Sequence, residues 1–120
     1  MAISIYWQMW WVAISEVRVD EKEWDLMITM NLKSAFLISK HVIPQMILSK
    51  YGRAVHVSSR TGLRSTGYDS AYAASKSGLI RLVESLAEET KESNINVNYI
   101  MPSILKQTEK QCQLQILVNG

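Results

Sequence analysis

The residues of this chain best suited to chemistry are Tyr72 and Lys76, in the segment Tyr72-Ala73-Ala74-Ser75-Lys76. In a helix, side chains four residues apart rise from the same face, one turn apart. A phenol is a weak acid, and an ammonium group held nearby stabilises the phenolate, so the phenol can both donate and accept a proton. If the segment is helical, the spacing predicts a proton-transfer site.

A pair of serines lies upstream of this segment. Ser58 and Ser59 follow the apolar run Ala54-Val55-His56-Val57, which predicts a short strand that ends at the serines. Active sites of open parallel α/β sheets are built where strands end. The two hydroxyl groups are therefore expected at the same edge of the fold as the tyrosine and the lysine.

A long helix is predicted ahead of that strand. Asp20 and Glu23 form a capping-box pattern, and the apolar residues that follow cover two sides of a helix, which must then be buried on two sides. Pro44 should bend this helix near Lys40, and Gly52 is the expected residue just past its end.

The remaining elements alternate between strand and helix. The sequence predicts a strand over 53–58 that is covered on both faces, a loop over 59–68 and a helix from Asp69 or Ser70 to about Ser93. Another strand is predicted over 95–100. Short links between these elements imply a right-handed crossover and hence an α/β fold with a parallel sheet.

The two ends of the chain depart from this pattern. Apolar residues alternate over 2–15, which favours a strand, and the stretch is too short to span a bilayer as a helix. Its tryptophans Trp7, Trp10 and Trp11 are interpreted as buried or partner-covering surface, with a ligand platform or membrane anchor as the alternative. The glutamine-rich tail after Lys106 predicts one short element, either helix or strand.

Composition limits the function classes. With 120 residues the chain is one domain or part of one, and 48% hydrophobic and 20% charged residues are typical of a soluble globular protein. The net charge of +2 comes from scattered basic residues, which indicates no nucleic-acid partner. The single cysteine, Cys112, excludes an internal disulfide and a cysteine metal site and suits the cytoplasm. No membrane partner is expected.

Four motifs in order make residues 20–105 resemble the short-chain dehydrogenase/reductase family: Asn31-Leu32-Lys33-Ser34-Ala35-Phe36, Gly52-Arg53-Ala54-Val55-His56-Val57-Ser58-Ser59, Tyr72-Ala73-Ala74-Ser75-Lys76 and Ile95-Asn96-Val97-Asn98-Tyr99-Ile100-Met101-Pro102-Ser103. The resemblance implies a partial doubly wound parallel sheet of Rossmann-like type that lacks the N-terminal cofactor-binding βαβ unit. Residues 1–120 would form a single incomplete domain, with an atypical apolar segment at 1–18 and a divergent tail at 106–120.

The resemblance also implies roles for individual residues. Tyr72 would be the general acid/base for the oxygen of an alcohol or carbonyl substrate, and Lys76 would favour its phenolate and bind the nicotinamide ribose. Ser59 would hold and polarise the substrate oxygen. Asn31 would hold a water that relays protons to Lys76. Further residues would lie against the nicotinamide end of NAD or NADP, namely Pro102, Ser103 and Leu105.

The chain also departs from the family pattern. Ser103 stands where a glycine usually follows the proline, and Gln107 stands where a threonine is expected. No glycine precedes Gly52, so the glycine-rich turn that receives a dinucleotide pyrophosphate has no counterpart.

Three functions remain open from the sequence. The first is an NAD(P)-dependent oxidoreductase. In the second, the chain alone is a non-catalytic remnant or association module, a homo-oligomer formed through the helices at 24–47 and 72–92. The third is a serine hydrolase that uses Ser59, or Ser103 in an S-x-x-K pattern. His41 and His56 lack an acidic or histidine partner motif and are interpreted as structural.

Overall fold

The computed structural model describes residues 3–5, 19–64 and 67–102 of the chain. The elements, in chain order, are β1 (Ile3–Ile5), α1 (Glu21–Ile28), a π-helical turn (Thr29–Lys33), α2 (Ser34–Ser49), β2 (Gly52–Val57), a 3₁₀ turn (Arg60–Gly62), α3 (Ser70–Thr90), a second 3₁₀ turn (Lys91–Ser93) and β3 (Ile95–Ile100). The predicted order of helix, strand, helix and strand is confirmed. Tryptophans 7, 10 and 11 and the tail after Lys106 lie outside the described residues.

The described strands form one parallel sheet in the order β1-β2-β3. The register of β2 and β3 runs from Gly52 opposite Ile95 to Val57 opposite Ile100. Because α3 connects β2 to β3, this pair with its helix is the crossover unit expected from the sequence. The α/β fold is therefore as predicted. Of the strand predicted over residues 2–15, the described part, Ile3–Ile5, forms β1, and the rest lies outside the described residues.

The long helix begins as predicted and then changes its winding. The Glu23 backbone N–H donates to Asp20 Oδ1 at 2.8 Å, and the Glu23 side chain completes a capping box. After α1 the backbone widens into the π-helical turn before α2 resumes. Few helices contain a π turn, and those turns that do occur are frequently found at functional sites. The π-helical turn was not predicted from the sequence, which indicated a bend near Lys40 caused by Pro44. The helix α2 extends through Pro44 to Ser49.

The end of α2 corrects the interpretation of Gly52. The left-handed residue that terminates the helix is Lys50, with φ of 54°, and Gly52 is the first residue of β2. A Cβ atom at Gly52 would lie 2.5 Å from Met46 Sδ. Glycine is therefore needed here because strand and helix approach closely, and the turn is made by a strained lysine.

Apolar side chains of α2 and α3 pack against those of β3 and of Met101, which follows it. Together they form the core: Ile43, Met46, Leu79, Ile80, Val83, Ile95, Val97, Tyr99 and Met101. On β2, Val55 keeps 37% of its surface exposed. The prediction that this strand is covered on both faces is thus wrong for Val55.

The helix α3 packs tightly against the π-helical turn. A Cβ atom at Gly78 would lie 2.8 Å from Leu32 Cδ2, which is well inside the usual contact distance. The absent side chain lets the two backbones approach. None of the helices in the described ranges is both long and apolar enough to cross a membrane.

Candidate active site

The lysine of the predicted pair is held inside the fold. Lys76 lies on α3 with 3% of its surface exposed, and its Nζ donates a hydrogen bond to the Val57 carbonyl at 3.0 Å. Burial lowers the pKa of Lys76, because a desolvated ammonium is less favourable than a neutral amine. In return, the Ser58 hydroxyl donates to the Lys76 carbonyl at 3.1 Å. These two bonds join the end of β2 to α3.

The tyrosine lies one turn earlier on the same helix. Tyr72 is half-buried, and the centre of its ring is 5.7 Å from Lys76 Nζ. The segment between the two residues is helical, as expected, and the Ser75 hydroxyl donates to the Tyr72 carbonyl at 2.7 Å. The phenol ring and the ammonium therefore meet on one helix face.

Ser59 lies immediately beyond the strand end and begins the 3₁₀ turn. Its Oγ accepts from the Thr61 backbone N–H at 3.3 Å and donates to Thr61 Oγ1 at the same distance. Within that turn, a Cβ atom at Gly62 would lie 3.0 Å from the Lys76 carbonyl oxygen. The turn therefore packs against α3 near Lys76, while the Ser59 hydroxyl is engaged within the turn.

Asn31 lies in the π-helical turn, and its Nδ2 donates to Met27 Sδ at 2.9 Å. The amide oxygen can accept a further hydrogen bond. Asn31 and Lys76 border a common pocket of about 50 Å³, whose lining comes from the π turn, α2, β2 and α3: Asn31, Ser34, Ala35, Ile38, His56, Val57, Lys76 and Leu79. The structure thus brings residues 45 positions apart to one small pocket, whose lining is more apolar than polar.

The residues expected at the nicotinamide end are only partly described. Pro102 is half-buried just beyond β3, two residues after Ile100. Ser103 and Leu105 lie outside the described residues. This places Pro102 beyond the carboxyl end of the sheet, the edge that also carries Ser58 and Ser59.

One pocket residue was not selected from the sequence. His56, on β2, borders the same pocket as Asn31 and Lys76, and its Nε2 lies 3.5 Å from the Oγ of Ser39, which is buried on α2. Burial lowers the pKa of His56. The available signal was its place on the strand that leads to Ser58; the serine partner on another element could not be read from the sequence. His41 is exposed on α2.

Comparison with known proteins identifies the family. Residues 12–115 match the model of the short chain dehydrogenase family. The chain therefore belongs to the short-chain dehydrogenases, an oxidoreductase family, and the resemblance noted in the sequence is confirmed.

Individual relatives agree. The chain is 38% identical over 96 residues to the 3-oxoacyl-(acyl-carrier-protein) reductase FabG of Thermotoga maritima, covering 78% of this chain and 39% of the relative. The corresponding reductase of Buchnera aphidicola is 42% identical over 90 residues, covering 75% and 37%. A 4-hydroxyisoleucine dehydrogenase complexed with NADH and succinate superimposes with a TM-score of 0.72 and 32% identity, covering 75% of this chain and 42% of that one. The chain spans about two fifths of the length of the relatives it matches.

Proposed function

We propose that this chain carries the proton-transfer site of a nicotinamide-dependent oxidoreductase that interconverts an alcohol and a carbonyl. Tyr72 is the general acid/base, and the Lys76 ammonium favours its phenolate. The observation that carries the proposal is the buried Lys76, whose Nζ bonds the Val57 carbonyl 3.0 Å away and lies 5.7 Å from the centre of the Tyr72 ring. Burying an ammonium costs desolvation free energy, and a single hydrogen bond to a carbonyl is a weak reason for that cost on grounds of stability alone.

The remaining roles follow from position. Ser59, at the strand end, holds the substrate oxygen once its hydroxyl turns from Thr61. Asn31 holds a water in the pocket that it shares with Lys76, and this water relays a proton to the Lys76 amine after the lysine has given one up. Local geometry of this kind often tightens only when the substrate is bound.

The residues suit one end of a nicotinamide cofactor, NAD or NADP. Lys76 Nζ carries three N–H groups. One of them donates to the Val57 carbonyl, which leaves two that can donate to a ribose hydroxyl. Pro102, together with Ser103 and Leu105, would border the nicotinamide, which supplies or accepts the hydride. For the pyrophosphate, the sequence offers no glycine before Gly52. We therefore expect the nicotinamide half to be bound by residues of this chain and the phosphates to need a further unit.

We accordingly interpret residues 1–120 as one incomplete Rossmann-like domain, with the family site inside 20–105. Residues 1–18 and 106–120 are its atypical segment and divergent tail. The isolated chain is expected to be inactive, and its single cysteine suits a cytoplasmic location.

The test is turnover in two forms of the protein. The isolated chain is mixed with NADH or NADPH and a panel of carbonyl compounds, and absorbance reports cofactor oxidation. In parallel, residues 20–105 replace the matching segment of the Thermotoga maritima reductase, which supplies the rest of a full-length relative. We expect no turnover from the isolated chain and measurable turnover from the graft.

Substitution of Tyr72 in the graft identifies the acid. Tyr72→Phe keeps the ring and removes the hydroxyl, and is expected to abolish turnover. The matched control is Tyr51→Phe, since Tyr51 is exposed between α2 and β2 and contacts Arg53 rather than the site. A folded graft that is equally active with phenylalanine at position 72 would overturn the assignment.

A second candidate function, association with a second copy of the chain, is favoured by a specific surface. Large apolar side chains remain exposed along the helices 21–49, namely Trp24, Leu26, Phe36, Leu37, Ile47 and Leu48. The described part of α3 adds no exposed side chain of this kind, so we propose the 24–47 helix, rather than 72–92, as the main apolar contact of a homo-oligomer. Exposed apolar patches of this kind mark interaction sites.

Light scattering after size-exclusion chromatography tests this association. We expect a dimer or larger species, and expect Phe36→Lys to reduce it to a monomer. Leu63→Lys changes a residue outside these helices that is more exposed than Phe36 and should leave the assembly intact. A wild-type monomer at high concentration would refute the association. Nothing among the contacts of Ser59 favours the hydrolase alternative, because its described partner is Thr61 and not a histidine or lysine.

A further inference from the structure

The pocket that Asn31 and Lys76 border is lined by a second ionisable residue besides Lys76, namely His56. The imidazole borders it from β2, on the residue just before the one whose carbonyl accepts the Lys76 hydrogen bond. Its Nε2 lies 3.5 Å from Ser39 Oγ. The His56 side chain thus lies between Ser39 on α2 and the pocket that Lys76 borders.

The size and chemistry of the pocket suit bound water. Its volume of about 50 Å³ exceeds the roughly 10–15 Å³ that a single water molecule requires. Asn31, Ser34, His56 and Lys76 supply polar groups from four separate elements. Most of the pocket surface is apolar, so ordered water is expected beside these polar groups, where it has hydrogen-bond partners, rather than throughout the pocket.

We propose that His56 is a positioning residue for Lys76, coupled to it through water held in this pocket. The proposal rests on the proposed function, since it assigns the histidine to the same proton-transfer site. In it, the imidazole and the ammonium share pocket water, so that the charge on one changes the proton affinity of the other. A neutral His56 is thereby compatible with the ammonium form of Lys76 that assists Tyr72, whereas a protonated imidazole would disfavour it.

The surroundings of His56 limit other sources of such coupling. The titratable groups that the described elements place beside it are Lys76 on α3 and Tyr99, its register partner on β3. From α2 it meets the uncharged Ser39. Removal of the Lys76 charge should therefore change the titration midpoint of His56.

The chain contains two histidines. In a side-chain NMR titration, His56 is therefore the residue under test and His41 is an internal control. We expect Lys76→Met to raise the titration midpoint of His56 by at least about half a pH unit, as a buried unit charge that borders the same small pocket is removed. The titration curve of the exposed His41 should stay in place. Lys76→Arg keeps the charge and should leave His56 nearer the wild-type curve. An unchanged His56 midpoint, or a shift shared equally by His41, would overturn the proposal.

A second measurement needs no substitution and covers the case in which Lys76→Met does not fold. In the wild-type chain, the His56 ring protons should show rotating-frame cross-peaks to water that are absent for His41; their absence would also overturn the proposal. Neither experiment uses cofactor or substrate. An inactive graft with coupled His56 and Lys76 would therefore refute the proposed function alone, and an active graft without coupling would refute the inference alone.

Discussion

The tight contact between α3 and the π-helical turn leads to a prediction about Gly78→Ala. Whether this substitution raises or lowers the free energy of unfolding depends on one neighbour, Leu32. Gly78→Ala places a methyl group 2.8 Å from Leu32 Cδ2 and 3.4 Å from Leu32 Cδ1. Alanine in place of glycine favours a helix by about 1 kcal/mol, whereas overpacking costs about 1–3 kcal/mol. The two terms leave a net loss of about 0–2 kcal/mol. Because Leu32 is half-buried and the clash involves the end of its side chain, we expect the lower part of that range.

The same substitution in a Leu32→Ala background removes the obstacle. There Gly78→Ala should stabilise the fold by about 1 kcal/mol, the helix-propensity gain alone. Urea unfolding followed by far-UV circular dichroism gives the four free energies of this double-mutant cycle. If Gly78→Ala is equally stabilising in both backgrounds, the two helical segments do not meet as described, and the geometry that brings Asn31 to the Lys76 pocket loses its support.

Further predictions concern the end of α2 and the buried histidine. Gly52→Ala should lower the free energy of unfolding by about 1–3 kcal/mol, measured by urea unfolding, because the new Cβ would collide with Met46; an unchanged midpoint would contradict it. Lys50→Gly should raise it by about 1 kcal/mol in the same assay, because a lysine at φ of 54° is strained, and a loss would refute this account of the turn. Burial lowers the pKa of His56 below its ordinary 6.5, so the unfolded chain takes up a proton first as pH falls. Stability should therefore fall progressively below pH 6.5, and His56→Gln should reduce that pH dependence where His41→Gln does not.

Local patterns predicted the parts of the fold whose signals are contained in short segments. The capping box at Asp20, the strand over 52–57 and the helix with Tyr72 and Lys76 on one face all followed from residue type and spacing. The family motifs added the expected roles of Asn31 and Ser59. The cap, the strand and the helix are encoded within a few neighbouring residues, which is why they could be predicted, whereas the roles of Asn31 and Ser59 stay predictions.

The features that were missed depend on contacts between distant segments. The π-helical turn around Asn31 accompanies close packing of Leu32 against Gly78, a contact between residues 46 positions apart. Gly52 was misread for a similar reason, because the need for glycine comes from Met46 on the preceding helix rather than from a turn. His56 was interpreted as structural because the sequence shows no acidic or histidine partner motif for it, and its neighbour Ser39 lies on another element. Tertiary packing, not propensity, decided each of these positions.

The most direct test of the proposed chemistry is the rate of single-turnover NADPH or NADH oxidation by the graft, measured by stopped flow with the carbonyl compound that it reduces fastest. The rate is compared between the graft that carries Tyr72 and its Tyr72→Phe variant. We predict that cofactor binding, followed by fluorescence, persists in both proteins, while the oxidation step slows by about 10²–10⁴-fold or more when the hydroxyl is lost. Equal rates in the two folded proteins would contradict the assignment of Tyr72 as the proton-transfer group.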